Sequence, residues 1–279
     1  MTAVATAPVA ETAVAETAAY TSDGGLLALT VLAPLGTPSG TTVVLSHGWA
    51  ASRRVWGTVA DRLIREGHRV VLYDQRGHGA SVPGREPFGI ARLGEDLGTV
   101  IDRVDAPDAV VVGHSGGGFA ALSYVSSGAR ALKGLVLLGT AAHGQDTPDG
   151  EVRMMGSALF SRALSRPALG RRLLGQTMGK RADPRAMEVN RQMFAAVSPR
   201  VRADAFRSSR GMDLREALGN VRVPAVVLAG EGDRVIAPAL GRAVADALPE
   251  ARFEELGSVG HMLPLEAPGA VVRAVRELV

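Results

Sequence analysis

The pentapeptide Gly113-His114-Ser115-Gly116-Gly117 places the narrowest limit on what this chain can fold into. It follows the apolar run 109–112 directly and precedes the helix-like stretch 119–126, so a G-x-S-x-G sequence stands between a strand and a helix. A serine on so sharp a turn leaves no room for side chains two positions to either side, which is where Gly113 and Gly117 fall. Between them, His114 and Gly116 complete the elbow. Ser115 would then project its hydroxyl above a sheet at a helix N-terminus, where backbone N–H groups face a developing anion. An incidental serine in a glycine-rich turn would need neither flank.

The rest of the chain supplies the sheet that such an elbow requires. From Thr41 onward, short β-branched runs alternate with longer segments of helical period, the pattern of a parallel sheet wrapped by helices. Residues 42–46, 69–73, 109–113, 135–138, 225–229 and 252–256 are the expected strands, continuous enough to be buried on both faces. Trp56, Val59, Leu63 and Ile64 share one helix face, and Leu93, Leu97, Val100 and Val104 share another. Residues 21–31 are expected to form an antiparallel edge hairpin turning at Asp23, Gly24 and Gly25. The alternation breaks after Leu138, and helices are expected to begin near Asp149, Pro167, Asp183 and Pro199. The expected organisation is therefore a flexible tail over residues 1–18, an α/β core over 19–140 and 216–279, and a helical lid over 141–215.

A serine hydroxyl is a poor nucleophile until a base takes its proton, and the base needs an orienting acid. Of six histidines, His261 lies just after the last expected strand, where a loop can bring it over Ser115. Asp233 follows the run 225–229 in Gly230-Glu231-Gly232-Asp233, so both fall in loops at strand C-terminal ends, where open α/β sheets bind ligands. Glu231, in the same loop, is the alternative acid; no acid ends the strand 135–138. Two N–H donors must hold the oxyanion. Gly116 offers one beside the nucleophile, and Trp49, in Ser46-His47-Gly48-Trp49 after the first parallel strand, offers the second. His47, His78 and Asp74 are expected to be structural parts of loops.

With HGW, DQRGHGAS, GHSGG, GEGDRVIAP and GHMLPLE in this order, the chain resembles the α/β-hydrolase-fold serine hydrolases from about residue 25 to residue 279. The resemblance implies an eight-stranded, mostly parallel sheet with a helical lid, Ser115, Asp233 and His261 as the triad, and Trp49 and Gly116 as oxyanion donors. Relatives with an aspartate nucleophile are disfavoured by Ser115. Cofactor-free perhydrolases resemble the chain near His47, but their usual proline after the oxyanion residue is Ala50 here.

Composition removes other chemistries. With no cysteine, the chain has no disulfide, thiol nucleophile or thiolate metal site. A net charge of +3 over 279 residues is a weak case for nucleic acid, and no stretch approaches the roughly 18 apolar residues of a membrane span. Glu11 and Glu16 interrupt the apolar N-terminus and no basic residue precedes them, so a secretory signal is not expected and the protein is read as cytoplasmic. Residues 151–210 contain 13 basic and 4 acidic residues, a balance of +9, together with Met154, Met155, Met178, Met187 and Met193. This lid could attract an anionic substrate, carrier or surface, or form solvated helix faces over adaptable apolar packing. The expected activity is hydrolysis of a carboxylic ester or lactone of a small, apolar and conceivably anionic substrate, with no metal or organic cofactor. Cleavage of a C–C bond beside a carbonyl, acyl transfer and peracid formation use the same triad, and a small-molecule receptor on this fold is the alternative from another class. The oligomeric state stays open.

Overall fold

The central runs of valine and leucine form a sheet because helices cover both of its faces. The computed structural model describes residues 13–130, 132–144 and 147–279. Its strands are β1 (Val14–Tyr20), β2 (Leu26–Leu32), β3 (Thr42–Ser46), β4 (Arg69–Tyr73), β5 (Val110–His114), β6 (Gly134–Leu138), β7 (Ala225–Gly230) and β8 (Ala251–Leu256). They lie in the order β1-β2-β4-β3-β5-β6-β7-β8, antiparallel across β1-β2-β4 and parallel elsewhere. Alternate residues divide the core. Val44, Val111, Leu137 and Val227 join one apolar cluster, while Val43, Val112, Val136 and Leu228 join the other.

Helices α1 (Gly57–Arg65), α2 (Ile90–Arg103) and α3 (Gly116–Ser126) fill the crossovers of the first half. Leu97, Val100 and Leu122 of α2 and α3 close one face of the sheet, and Val59 and Leu63 of α1 close the other. Between β6 and β7 stand α4 (Asp149–Met155), α5 (Ala158–Leu164), α6 (Pro167–Leu173), α7 (Pro184–Ala196), α8 (Pro199–Arg207) and α9 (Arg215–Leu218). A bridge between His143 and Asp213 ties the two ends of this insertion together. Inside it, the buried Arg202 guanidinium donates to the carbonyls of Met155 (3.1 Å), Phe194 (3.2 Å) and Val197 (2.5 Å), so one cation gathers the C-terminal ends of α4 and α7. The chain ends with α10 (Pro238–Ala247), α11 (Leu263–Glu266) and α12 (Pro268–Arg276).

The N-terminal region corrects the expectation drawn from sequence. Residues 1–12 of the expected tail lie outside the described residues, but residues 14–18 belong to β1, and the hairpin runs from Val14 to Leu32 rather than over 21–31. Val14-Ala15-Glu16-Thr17-Ala18 lacks the bulk of a strand buried on both faces, because an edge strand needs only one covered side. Glu16 accepts from Thr30 (2.7 Å) and Arg53 (3.0 Å), which gives this acid a place on the strand.

The loop after β4 is a polar clamp. Asp74 accepts from the Arg53 N–H (2.8 Å) and the Ala80 N–H (3.0 Å), and buried Arg76 pairs with Asp96 (2.6 Å) and Asp23 (3.1 Å). Each of two fully buried histidines in this region donates through Nδ1 to a carbonyl and accepts a backbone N–H through Nε2. His47 joins Gly48 O to Gln75 N, and His78 joins Arg76 O to Ala50 N. The second bond of each requires an uncharged ring, and burial drives His47 down to about 4 and His78 down to about 3.

These values lie below the ordinary histidine value, so the unfolded chain takes up protons first as pH falls. Their contribution to stability is complete above about pH 6.5 and is lost downward from there. Chemical denaturation between pH 6.5 and 5 should show stability falling, with His47 and His78 together contributing up to two protons to the slope, about 2.7 kcal/mol per pH unit, beside the share of other buried histidines. His78→Gln should remove about one proton from that slope; an unchanged slope would place the titration elsewhere.

Candidate active site

Strand β5 delivers Ser115 to the start of α3 in a conformation that a non-glycine residue adopts only under constraint, with φ 51° and ψ −117°. The Ser115 N–H donates to Leu138 O (2.9 Å), and its carbonyl accepts from Gly118 N (2.8 Å), Phe119 N (3.1 Å) and Thr140 Oγ1 (3.0 Å). The flanking glycines are required by contact. A Cβ on Gly113 would press against Gly117 O and Gly118 Cα, and one on Gly117 would strike the carbonyls of Ser46 and His47.

Asp233 and His261 meet across the loops after β7 and β8, with His261 Nδ1 at 2.8 Å from Asp233 Oδ2. The other carboxylate oxygen of Asp233 accepts from Val235 N (2.8 Å) and Ile236 N (2.9 Å). Burial alone would raise this carboxyl, but the neighbouring imidazole and these hydrogen bonds hold it below its ordinary value. Glu231 is exposed and accepts from Ser258 N instead (3.0 Å). Gly139, just beyond β6, lies close beneath the Asp233–His261 pair. A Cβ there would lie 3.2 Å from Asp233 Oδ2 and 3.3 Å from His261 Nδ1, so the acid–histidine pair passes directly over it.

Ser115 and His261 line one cavity of about 380 Å³, although the serine hydroxyl makes no hydrogen bond to the ring in this structure. Such contacts often tighten only when substrate binds. Trp49 lines the same cavity, and its indole lies against Gly116, where an added Cβ would collide with Nε1. Among the described residues, the backbone N–H groups of Trp49 and Gly116 have no acceptor. The Trp49 Nε1, His114 Nδ1 and His143 Nδ1 atoms are buried without partners, and all three residues line this cavity. His114 Nε2 donates to His261 O (2.8 Å), and burial drives this histidine down to about 3, so its ring acts as a neutral prop beneath the loop.

Glu266 is the residue that the sequence reading missed. One carboxylate oxygen accepts from Gly260 N (3.1 Å) and Gly179 N (2.7 Å), and the other from Met262 N (3.1 Å). The His261 N–H itself donates to Thr177 O (3.1 Å). The backbone of residues 177–179 in the insertion therefore holds the histidine loop directly. The acid five residues after His261 in Gly260-His261-Met262-Leu263-Pro264-Leu265-Glu266 was a visible signal; its contact with Gly179 was not.

The insertion presents a largely apolar wall to the cavity, including Met154, Met155, Phe160, Leu174, Phe194 and Phe206. Met178 and Met193 are buried in packing instead. None of the thirteen basic residues in 151–210 lines the cavity. The cation that does is Arg234, which follows Asp233, and Glu151 of α4 lines the same cavity.

This sheet, its helical insertion and the elbow define a hydrolase of the α/β-hydrolase fold. Residues 37–267 match the family described as serine aminopeptidase, S33, and the chain belongs to that family. A non-heme chloroperoxidase, CPO-A1, from Kitasatospora aureofaciens is 26% identical over 254 residues, covering 86% of this chain and 91% of the relative. The esterase EaEST from Exiguobacterium antarcticum superposes with TM-score 0.81 at 21% identity, covering 94% and 98% of the two chains. The enol-lactonase from Burkholderia xenovorans LB400 gives TM-score 0.80 at 25% identity, covering 94% and 99%.

If Glu266 aligns the histidine, Glu266→Gln should lower kcat by about 10- to 100-fold with little change in KM, because a small misplacement of a reacting group is costly. Thermal unfolding run in parallel separates alignment from loss of fold. A KM effect alone would assign Glu266 to substrate binding.

Proposed function

We propose that this chain hydrolyses a carboxylic ester or lactone through an acyl-enzyme on Ser115. The observation that carries the reading is the convergence on one cavity of Ser115, strained at the N-terminus of α3, and His261, which Asp233 holds from behind. His261 accepts the Ser115 proton as the oxygen adds to the substrate carbonyl. Asp233 fixes the ring tautomer and stabilises the imidazolium. The N–H groups of Trp49 and Gly116 receive the oxyanion, and its collapse expels the alkoxide, which His261 protonates. A water deprotonated by His261 then attacks the acyl carbonyl and releases the acid with Ser115 restored. Every proton and bond is accounted for without a metal or organic cofactor.

Two features favour this reaction among those open to the family. An enol-lactonase stands among the structural neighbours, and a lactone is an internal ester. A peracid-forming site built like the perhydrolases would carry proline at position 50, but Ala50 has φ 55° and donates its N–H to His78 Nε2 (3.1 Å). Proline can do neither. The apolar insertion wall and the cavity volume suit a medium acyl chain or a ring.

Ser115→Ala and His261→Ala should each lower turnover of a short aryl ester by several orders of magnitude while the fold persists, and the double variant should lose little more than either alone. Asp233→Asn should cost far more than Glu231→Gln. Near-normal activity in either alanine variant would overturn the mechanism, and the reverse ranking of the acids would move the orienting role to Glu231.

A further inference from the structure

The surface of the insertion combines two properties that solvated helices seldom share. From Val152 to Ala182 there are seven basic residues and no acidic one. Among the described residues, only Arg171 of these seven forms an ion pair, with Glu188 at 3.0 Å. Arg153, Arg162, Arg166, Arg172, Lys180 and Arg181 are exposed and have no carboxylate partner. Beside them stand four of the eight large hydrophobic residues exposed among the described residues: Met154 (43%), Leu159 (77%), Leu169 (39%) and Leu173 (39%). All four lie on α4, α5 and α6, which pack successively against one another. These helices bury other residues, among them Met155, Leu164 and Gly170, so the exposed side chains are the outward remainder of elements that already have a core.

Scattered exposed leucines need no explanation, but apolar side chains grouped among unpaired cations mark a surface built for a partner. The grouping also borders the opening of the catalytic cavity, because Met154 and Leu173 are exposed and line that cavity. The charge of the whole molecule gives the surface a direction. Residues 151–210 carry +9 in a chain of net +3, so the remainder carries −6. A negative surface would attract the insertion, repel the body, and turn the cavity opening toward itself.

The geometry points to α4, α5 and α6 as a docking face for an anionic lipid bilayer, with the arginines among the headgroups and Leu159, Leu169 and Leu173 inserted at the acyl boundary. An acidic protein would satisfy the arginines but would have to supply its own apolar counterpart to three projecting leucines. A bilayer supplies both at once. No helix among the described residues is long and apolar enough to cross a membrane, so the contact is peripheral. The face would give the cavity access to a hydrophobic ester held in the membrane, and this substrate class rests on the ester-hydrolase reading above.

The test uses the full chain with vesicles of phosphatidylcholine alone and of phosphatidylcholine mixed with phosphatidylglycerol. Co-sedimentation should be at least ten-fold stronger on the mixed vesicles, and 0.5 M salt should reverse most of it. Arg162→Gln/Arg166→Gln/Arg172→Gln and, separately, Leu159→Ser/Leu169→Ser should each lower binding about ten-fold while leaving turnover of a water-soluble short ester unchanged. Equal binding to neutral vesicles, or a leucine variant that binds like the wild type, would overturn the docking face. So would binding to an acidic polypeptide such as polyglutamate with none to either vesicle. The Ser115→Ala protein should bind vesicles as the wild type does, so docking stands or falls apart from hydrolysis. A docking protein that cleaves no ester in either setting would sink the functional reading alone. For the wild type, a long-chain ester carried in mixed vesicles should turn over about ten-fold faster than the same ester carried in phosphatidylcholine.

Discussion

The site depends on a close approach of backbone to backbone at the end of β5. Gly117 packs against the carbonyls of Ser46 and His47, and Gly113 packs against the turn that follows, so α3 can begin immediately above β3 and β5. That contact holds Ser115 at φ 51° and leaves the Gly116 N–H without an acceptor. A larger residue at either glycine would separate α3 from β3 and relax the elbow. The N–H groups of Trp49 and Gly116, the proposed oxyanion donors, would then lose their common focus, since Trp49 follows β3 and Gly116 begins α3. The strain at Ser115 is one local cost, on the order of 1–3 kcal/mol, carried by a core in which residues of the central strands are almost wholly buried.

The same end of the strands collects the other candidate reacting groups. Gly139 yields space for the Asp233–His261 pair, and His114, next to the serine, props the carbonyl of His261 from below. From above, residues 177–179 and Glu266 hold the backbone on both sides of that histidine. The insertion is thus more than a cover. Arg202 ties its helix ends together, and that body reaches the candidate general base through two backbone contacts, so a movement of the insertion would be felt as a change in the position of His261. One structural unit therefore lines the cavity and holds the loop of the candidate base.

Ser115 and Asp233 were legible in the sequence as candidates because each follows an apolar run whose length and composition announce a buried strand. His261 follows β8, which carries an arginine and two glutamates and is only partly buried, and was legible from the chain order that puts all three at strand C-terminal ends. Buried parallel strands advertise themselves by such apolar runs; the antiparallel edge strand β1 does not. β1, Val14-Ala15-Glu16-Thr17-Ala18-Ala19-Tyr20, is nearly half alanine, and its pairing with β2 comes from backbone hydrogen bonds that composition does not reveal. The starts of α4, α6, α7 and α8 agree with their capping and proline signals, whereas α5, beginning at Ala158 behind the Ser157 cap, was not anticipated. Charge counting identified the basic insertion but could not show which way it faces. Its arginines turn outward or into helix ends, and its aromatic and methionine side chains turn toward the cavity. The link from Glu266 to the insertion was hidden for a related reason. It runs to the backbone N–H of Gly179, far away in the chain, and a backbone partner leaves no pattern of residue types.

The central claim is that Ser115 is an activated nucleophile whose covalent chemistry is the enzyme's activity. Titration with a fluorophosphonate, followed together by aryl-ester turnover and by mass spectrometry of the proteolysed protein, tests it most directly. The account predicts loss of turnover in proportion to one equivalent of adduct on the peptide containing Ser115, and no adduct there when His261 is replaced by alanine. Turnover that survives full modification of Ser115, or inactivation with the adduct on another residue, would contradict it.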